Sequence, residues 1–268
     1  MILVNGLPAD QVDARDRGLA YGDGVFRTLR VQAGEPLWWA DHTAKLAADA
    51  AALKIGCPDE AVLREDVRRV AAGGEGVVKL ILTRGAGARG YAPLPGLPVT
   101  RIVLASPLPP HAGAGALTEV RARWCTLQLA RQPRLAGVKH LNRLEQVLAR
   151  AEWNDPDIFE GILCDDTGAV VGGVMSNLFM AKGGELFTPD LGACGVAGVA
   201  RQRLLRGAVR AGISVHVGRL ARDAILDADE VMLCNSLIGV RRVATLDGRI
   251  WPPAGWTPRL NRLLYELD

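Results

Sequence analysis

The stretch LAGVKHLNRLEQVLAR, residues 135–150, decides how this chain is read. Leu144, Val147, Leu148 and Ala151 recur at helical spacing, which predicts a helix over about 143–153. Asn142 followed by Glu145 reads as a capping box at its start. Lys139 then lies just before a helix N-terminus, where positive partial charge and burial both disfavour an ammonium. A lysine that is neutral near physiological pH can attack an aldehyde and later move protons. Position alone leaves a second reading open, a solvated lysine in a loop.

Working outward, strands are expected at 2–4, 25–32, 77–82 and 101–105, with helices over about 41–53, capped by Asp41, and 59–72. Between the last two of these strands lies a Gly/Pro-rich loop, 84–98, of a length more often functional than not. It carries Arg84, Arg89 and Tyr91, which either bind a carboxylate or sit exposed on a flexible loop. Tyr21 lies between potential turns in DRGLAYGD, as a pocket phenol or a packed aromatic. After the helix at about 143–153, strands are expected near 158–164, 178–181, 214–217 and 230–234. A strand near 119–126 precedes that helix, and further helices cover about 200–211 and 258–267. Residues 195–201, GVAGVAR, open a helix. Glycines there let a backbone approach a phosphate, although on this feature alone a plain loop-to-helix junction is the favoured reading. Cys234-Asn235-Ser236 ends an apolar run and reads as a polar strand end facing a crevice, or simply as a turn.

Strands and helices mix in both halves. The expectation is therefore an α+β or α/β chain of two lobes: 1–108, a linker over 109–116, and 117–268 carrying Lys139. The 268 residues carry 32 basic and 29 acidic side chains, a net +3 too small and scattered to argue for nucleic acid. Five scattered cysteines form no CxxC pair, and the four histidines show no metal-ligand spacing, so neither a disulfide framework nor a metal is expected. The start, MILVNGLPAD, lacks the pattern of a signal peptide, and no apolar run reaches membrane-helix length. A cytoplasmic protein with no membrane partner is expected.

The order of these features resembles the class IV aminotransferases, the fold-type IV pyridoxal 5'-phosphate enzymes. The likeness rests on RDRGLAYGDGVFRT at 15–28, TRGAGARGYAP at 83–93, LAGVKHLNRLEQVL at 135–148, SNLF at 176–179 and GVAGVAR at 195–201. KHLNRLEQ is similar to the aminodeoxychorismate lyase branch rather than to the branched-chain or D-amino acid transaminases. The resemblance implies a two-lobed fold with the site between the lobes, and a homodimer. It implies a Schiff base between the cofactor and Lys139, and conversion of 4-amino-4-deoxychorismate to 4-aminobenzoate and pyruvate. It further implies phosphate binding by the N–H groups of Val199 and Ala200 and by the Ser236 hydroxyl. Substrate binding falls to Tyr21, Thr28, Arg84, Arg89 and Tyr91.

Two positions depart from the family pattern. Lys45 stands where an arginine usually pairs with the phosphate, keeping the charge but losing the bidentate fork. Gly172 stands where a glutamate usually pairs with the pyridine nitrogen and strengthens the ring as an electron sink. The competing readings are a transaminase of D- or branched-chain amino acids and a weakly active cofactor-binding homologue.

Overall fold

In the computed structural model, which describes residues 1–112 and 118–266, the chain divides into two units. The first comprises Met1–Pro109 together with Val138–Asn142, and the second Pro110–Gly137 and Arg143–Asp268. Lys139 thus groups with the N-terminal unit and not with the C-terminal stretch expected to carry it. The reason is main-chain pairing, given below. Residues 113–116 of the expected linker lie outside the described residues.

The first unit contains β1 (Ile2–Val4), β2 (Leu7–Pro8), α1 (Arg17–Tyr21), β3 (Gly24–Gln32), β4 (Glu35–Pro36), α2 (Trp39–Ala52), α3 (Glu60–Ala71), β5 (Gly76–Thr83) and β6 (Thr100–Ser106). Its sheet runs β2-β1-β6-β5-β3-β4, antiparallel at every pairing. Successive side chains of β3 point to opposite faces. Val25, Arg27, Leu29 and Val31 are buried on one face, and Phe26, Thr28 and Arg30 alternate on the other. The buried set packs with Leu46 of α2 and with Leu63 and Val67 of α3. On α2 the buried stripe is Trp39, His42, Thr43, Leu46, Asp49 and Ala50, the spacing of one helical face. Asp41 falls inside the first turn of α2 and is not its cap, because the helix starts earlier, after Trp38 in a left-handed conformation. One charged residue, Arg27, therefore lies in the apolar stripe of β3, and another, Asp49, in that of α2.

The second unit contains β7 (Glu119–Leu129), α4 (Leu144–Arg150), β8 (Ile158–Asp165), β9 (Val170–Gly173), β10 (Asn177–Lys182), β11 (Glu185–Pro189), α5 (Val199–Arg210), β12 (Val215–Gly218), α6 (Arg222–Leu226), β13 (Glu230–Asn235), β14 (Gly239–Leu246), β15 (Arg249–Ile250) and α7 (Trp256–Tyr265). Its mixed sheet runs β12-β11-β10-β13-β14-β7-β8-β9, with β15 beside β14. Ile162, Leu178, Val231, Leu233, Val243 and Trp251 form its main core. Helix α5 packs on α7 and on β13. No helix among the described residues is long and apolar enough to cross a membrane.

A buried carboxylate shapes the turn between β9 and β10. Glu160 of β8 is 1% exposed. Its Oε1 accepts the N–H groups of Gly161 and Val174 at 3.1 Å, and its Oε2 accepts the Met175 N–H at 3.2 Å and the Ser176 hydroxyl at 2.8 Å. Burial, opposed by those four donors, pushes the Glu160 pKa from 4.5 up to about 7. The folded chain therefore keeps a proton that the unfolded chain has already lost. This contribution to stability is complete below about pH 4.5 and is lost as pH rises to about 7. Relative to a Glu160→Gln variant, the native chain should lose on the order of 3 kcal/mol of unfolding free energy across that window. Urea unfolding of both proteins at stepped pH measures this, and a pH-independent difference would contradict it.

Candidate active site around Lys139

Residues 139–141 form an extra edge beside the start of β3. The Lys139 carbonyl accepts the Phe26 N–H at 3.0 Å, His140 bridges Val25 in antiparallel register, and the Leu141 N–H donates to the Gly24 carbonyl at 3.0 Å. Lys139 is thus held by strand pairing and is not poised at a helix start. Helix α4 begins only at Leu144, and Arg143 at its cap position makes no side-chain capping bond to the helix. The expected capping box does not form, because both of its side chains are used elsewhere. The Asn142 amide donates to the Gly22 carbonyl at 3.2 Å, and Glu145 accepts the Ala130 N–H at 2.8 Å.

The Lys139 ammonium stands 4.4 Å from the centroid of the Phe26 ring. Lys79 of β5 stands 4.9 Å from the same centroid. Thr28 shares the Phe26 face of β3 and is the register partner of Lys79. Beneath, on the core face, the Lys139 main-chain N–H donates to Asp49 Oδ2 at 3.0 Å. Asp49 also ion-pairs with Arg27 and with Lys45, one helical turn before it. Burial, with the nearby Arg27 cation adding to it, lowers the Lys45 pKa to about 8. Burial lowers that of Arg27 to about 10.

The loop at 84–98 is pinned from α1. Asp16 caps that helix through the Gly18 N–H at 2.7 Å and accepts the Thr83 hydroxyl at 2.9 Å. Arg17 donates to Asp23 at 2.9 Å and to the carbonyls of Gly90 and Tyr91 at 2.8 and 3.0 Å. Its guanidinium lies 4.9 Å from the Tyr21 ring centroid. The Tyr21 hydroxyl accepts the Gly90 N–H at 3.2 Å, and its ring lies 5.4 Å from that of Tyr91. Arg84 spends its donors within the fold, on both oxygens of Asp23 at 2.7 and 2.9 Å and on the carbonyls of Leu53 and Lys54 at 2.7 and 2.6 Å. Burial works against ionisation of Asp23, but Arg84 and Arg17 outweigh it and hold the carboxyl below its ordinary range. Arg89 is exposed and, with Arg15, Tyr21 and Gly87, lines a cleft of about 600 Å³. Tyr91 is 85% exposed.

In the second unit, Gly137 brackets the glycine turn: its N–H donates to the Gly195 carbonyl at 3.0 Å, and its carbonyl accepts the Ala197 N–H at 3.1 Å. Asn177 of β10 takes the Gly198 N–H at 3.1 Å and donates to the Val196 carbonyl at 2.8 Å. A Cβ on Gly198 would lie 2.4 Å from that Asn177 oxygen, so the turn closes only over glycine. Helix α5 then starts with no side-chain cap. Val199 and Ala200 are buried, and their N–H groups meet no acceptor among the described residues. Ser236 is half-buried in the turn after β13, a turn fixed by the Asn235 carboxamide on the N–H groups of Leu237 and Ile238.

Gly172 has φ +157°, and a Cβ there would lie 2.9 Å from the Ser176 carbonyl oxygen. Glu160 reaches the neighbouring Gly173, but the four donors of its turn occupy its oxygens. Among the described residues no cluster of three His, Cys, Asp or Glu could hold a metal. Sequence reasoning named Lys139, Lys45 and Thr28 but missed Arg27, Asp49 and Lys79 around them. A signal was present for the first two: each is a charge at an apolar position of its periodic stripe.

The Amino-transferase class IV family model matches residues 24–246. The chain is 38% identical over 247 residues to an aminodeoxychorismate lyase of Vibrio harveyi, covering 91% of this chain and 90% of the relative. It superposes on the crystal structure of 4-amino-4-deoxychorismate lyase from Pseudomonas aeruginosa with a TM-score of 0.93 and 46% identity, covering all of both chains. It also superposes on a hypothetical aminotransferase from Mycobacterium tuberculosis, solved in its PLP-bound form, with a TM-score of 0.81 and 25% identity over 98% and 97% of the two chains. A family match across most of the chain, joined to a lysine held on a strand edge and an uncapped glycine-led helix start, places this protein in the class IV aminotransferase family.

Proposed function

We propose that this protein is a pyridoxal 5'-phosphate-dependent lyase that converts 4-amino-4-deoxychorismate to 4-aminobenzoate and pyruvate. The observation that carries this reading is the 46% identity to the Pseudomonas aeruginosa lyase over the whole of both chains.

The donor set of this chain fits the cofactor at two of its three polar ends. The buried N–H groups of Val199 and Ala200, at the start of a twelve-residue helix, suit a phosphate, with Ser236 as a hydroxyl donor. Lys139 supplies the amine for the aldehyde. At the ring nitrogen the fit is incomplete, since Gly172 offers no carboxylate and that of Glu160 is committed to its turn. When bound, the cofactor supplies an electron sink for charge on the carbon next to the substrate nitrogen.

Lys139 Nζ takes the proton from the substrate carbon that bears nitrogen. The ether C–O bond on the adjacent carbon breaks and its electron pair leaves with the enolpyruvyl group. That group gains a proton at its methylene to become pyruvate, and the remaining ring is aromatic. Aromatisation favours the elimination, so the missing carboxylate at Gly172 costs this reaction less than it would cost amino transfer. Lys79 and Thr28, on the Phe26 face of the sheet, are assigned to the substrate with Tyr21. Arg89 is assigned a substrate carboxylate, supported by its place in the cleft and by the full engagement of Arg84. Lys45 is carried forward in a different role, as the partner of Asp49. A homodimer is supported by the exposed Leu144, Val147 and Leu148 of α4.

A coupled assay of 4-aminobenzoate and pyruvate release tests the reaction. Equal amounts of the two products are expected, with Lys139→Ala lowering turnover by about 10²–10⁴-fold or more. Sustained transfer of amino groups to 2-oxoglutarate without 4-aminobenzoate would replace this reading with a transaminase. Arg89→Ala should raise KM by about 10–100-fold, the value of one charge-assisted hydrogen bond, with kcat little changed. Arg84→Ala should instead lower the melting temperature. Equal kinetic parameters for Arg89→Ala and the native protein would remove Arg89 from the site.

A further inference from the structure

We infer that Asp49 is a positioning residue for Lys139, fixing its main chain and setting the charge around its amine together with Arg27. This rests on the proposed role of Lys139 and adds a residue that no motif marks.

Asp49 is 2% exposed, on the face of α2 that packs against β3. Asp49 is flanked on its face by Leu46 and Ala50 and faces the core side of β3, so a buried carboxylate here requires partners to offset its loss of water. It has three: Arg27 from the core face of β3, Lys45 from its own helix, and the main-chain N–H of Lys139. Arg27 Nη2 also reaches the Lys45 carbonyl at 3.2 Å, which ties the same guanidinium to both ends of the helical turn. The third bond has a geometric consequence. The Lys139 carbonyl is already tied to β3, through Phe26. With the N–H bound as well, the peptide groups on both sides of the Lys139 Cα are fixed, one by a strand and one by a helix. From that fixed backbone the amine reaches the Phe26 ring.

The same arrangement sets the local charge. The groups around this lysine are Asp49 and Lys45 on α2, Arg27 on β3, and Lys79 on β5 across the Phe26 ring. Of these four charged groups three are cations, and Asp49 is the anion among them. Removing it raises the cost of a cation at Lys139, and removing Arg27 lowers that cost. Losing both should nearly cancel. A residue that merely filled space would show neither the opposed signs nor the cancellation.

The first test uses the protein without cofactor. Amide hydrogen exchange is followed by mass spectrometry in peptides covering 136–142 and 76–83, for the native chain and Asp49→Ala. The Lys139 amide should exchange at least about tenfold faster in the variant, while the β5 peptide is unchanged. Unchanged protection at Lys139, or equal acceleration in both peptides, would overturn the proposal. The second test loads pyridoxal 5'-phosphate and records the pH midpoint of the absorbance change of the bound cofactor. Asp49→Asn should move the midpoint to lower pH by on the order of one unit, and Arg27→Gln should move it to higher pH. The double variant should return close to the native value. A native midpoint in Asp49→Asn would overturn the electrostatic part. If the native protein takes up no cofactor, the proposed function fails, and the exchange experiment still decides whether Asp49 holds the Lys139 backbone.

Discussion

The pairing of residues 139–141 with the start of β3 is the constraint on which the proposed chemistry depends. Those three residues belong to no helix and to no named strand, yet the Lys139 N–H and carbonyl and the Leu141 N–H are all bonded. Phe26, Val25 and Gly24 supply the strand partners, and Asp49 takes the Lys139 N–H. Buried backbone groups need such partners, so the segment has one low-energy path across the sheet edge. Two residues earlier, Gly137 is tied to the Gly195 carbonyl and the Ala197 N–H. The lysine is therefore delivered by backbone bonds on both sides, with little left to side-chain chance.

Charge follows from the same geometry. The period of two in β3 sends Phe26 and Thr28 to one face and Arg27 to the other. One strand thus supplies an aromatic floor under the amine and a buried cation behind it. The face of α2 answers with Asp49, which neutralises that cation and reaches the Lys139 backbone. A buried ion pair is weak evidence for stability, because desolvation opposes attraction. Its value here is specificity of position: the carboxylate has one set of partners and they hold it in one place.

Much of this was legible in the sequence. The strands over β3, β5, β6 and β13 and the helices α2, α3 and α5 follow from apolar periodicity, and KHLNRLEQ marks the lysine. The reading failed where local propensity lost to tertiary bonding. Asn142 and Glu145 have the residue types of a capping box, but Gly22 and Ala130 claim their side chains, so the helix starts later and Lys139 belongs to a sheet edge. Arg84 looked like a ligand for a carboxylate, and Asp23 had already taken that role. Short elements such as β2, β4, β15 and α6 carry too few residues for a period to register. Arg27 and Asp49 were visible as charges in apolar stripes, but their pairing requires the packing of α2 on β3. Gly172 brings no carboxylate of its own, and the oxygens of the neighbouring Glu160 accept the donors of its turn.

Covalent trapping identifies the residue that carries the cofactor, proposed to be Lys139. The protein is loaded with pyridoxal 5'-phosphate, reduced with borohydride, digested and mapped by mass spectrometry. The account predicts a phosphopyridoxyl group on Lys139 at close to one per chain, with Lys45 and Lys79 unlabelled. Stoichiometric label on another lysine with Lys139 unmodified, or no label on a protein that turns over substrate, would contradict it.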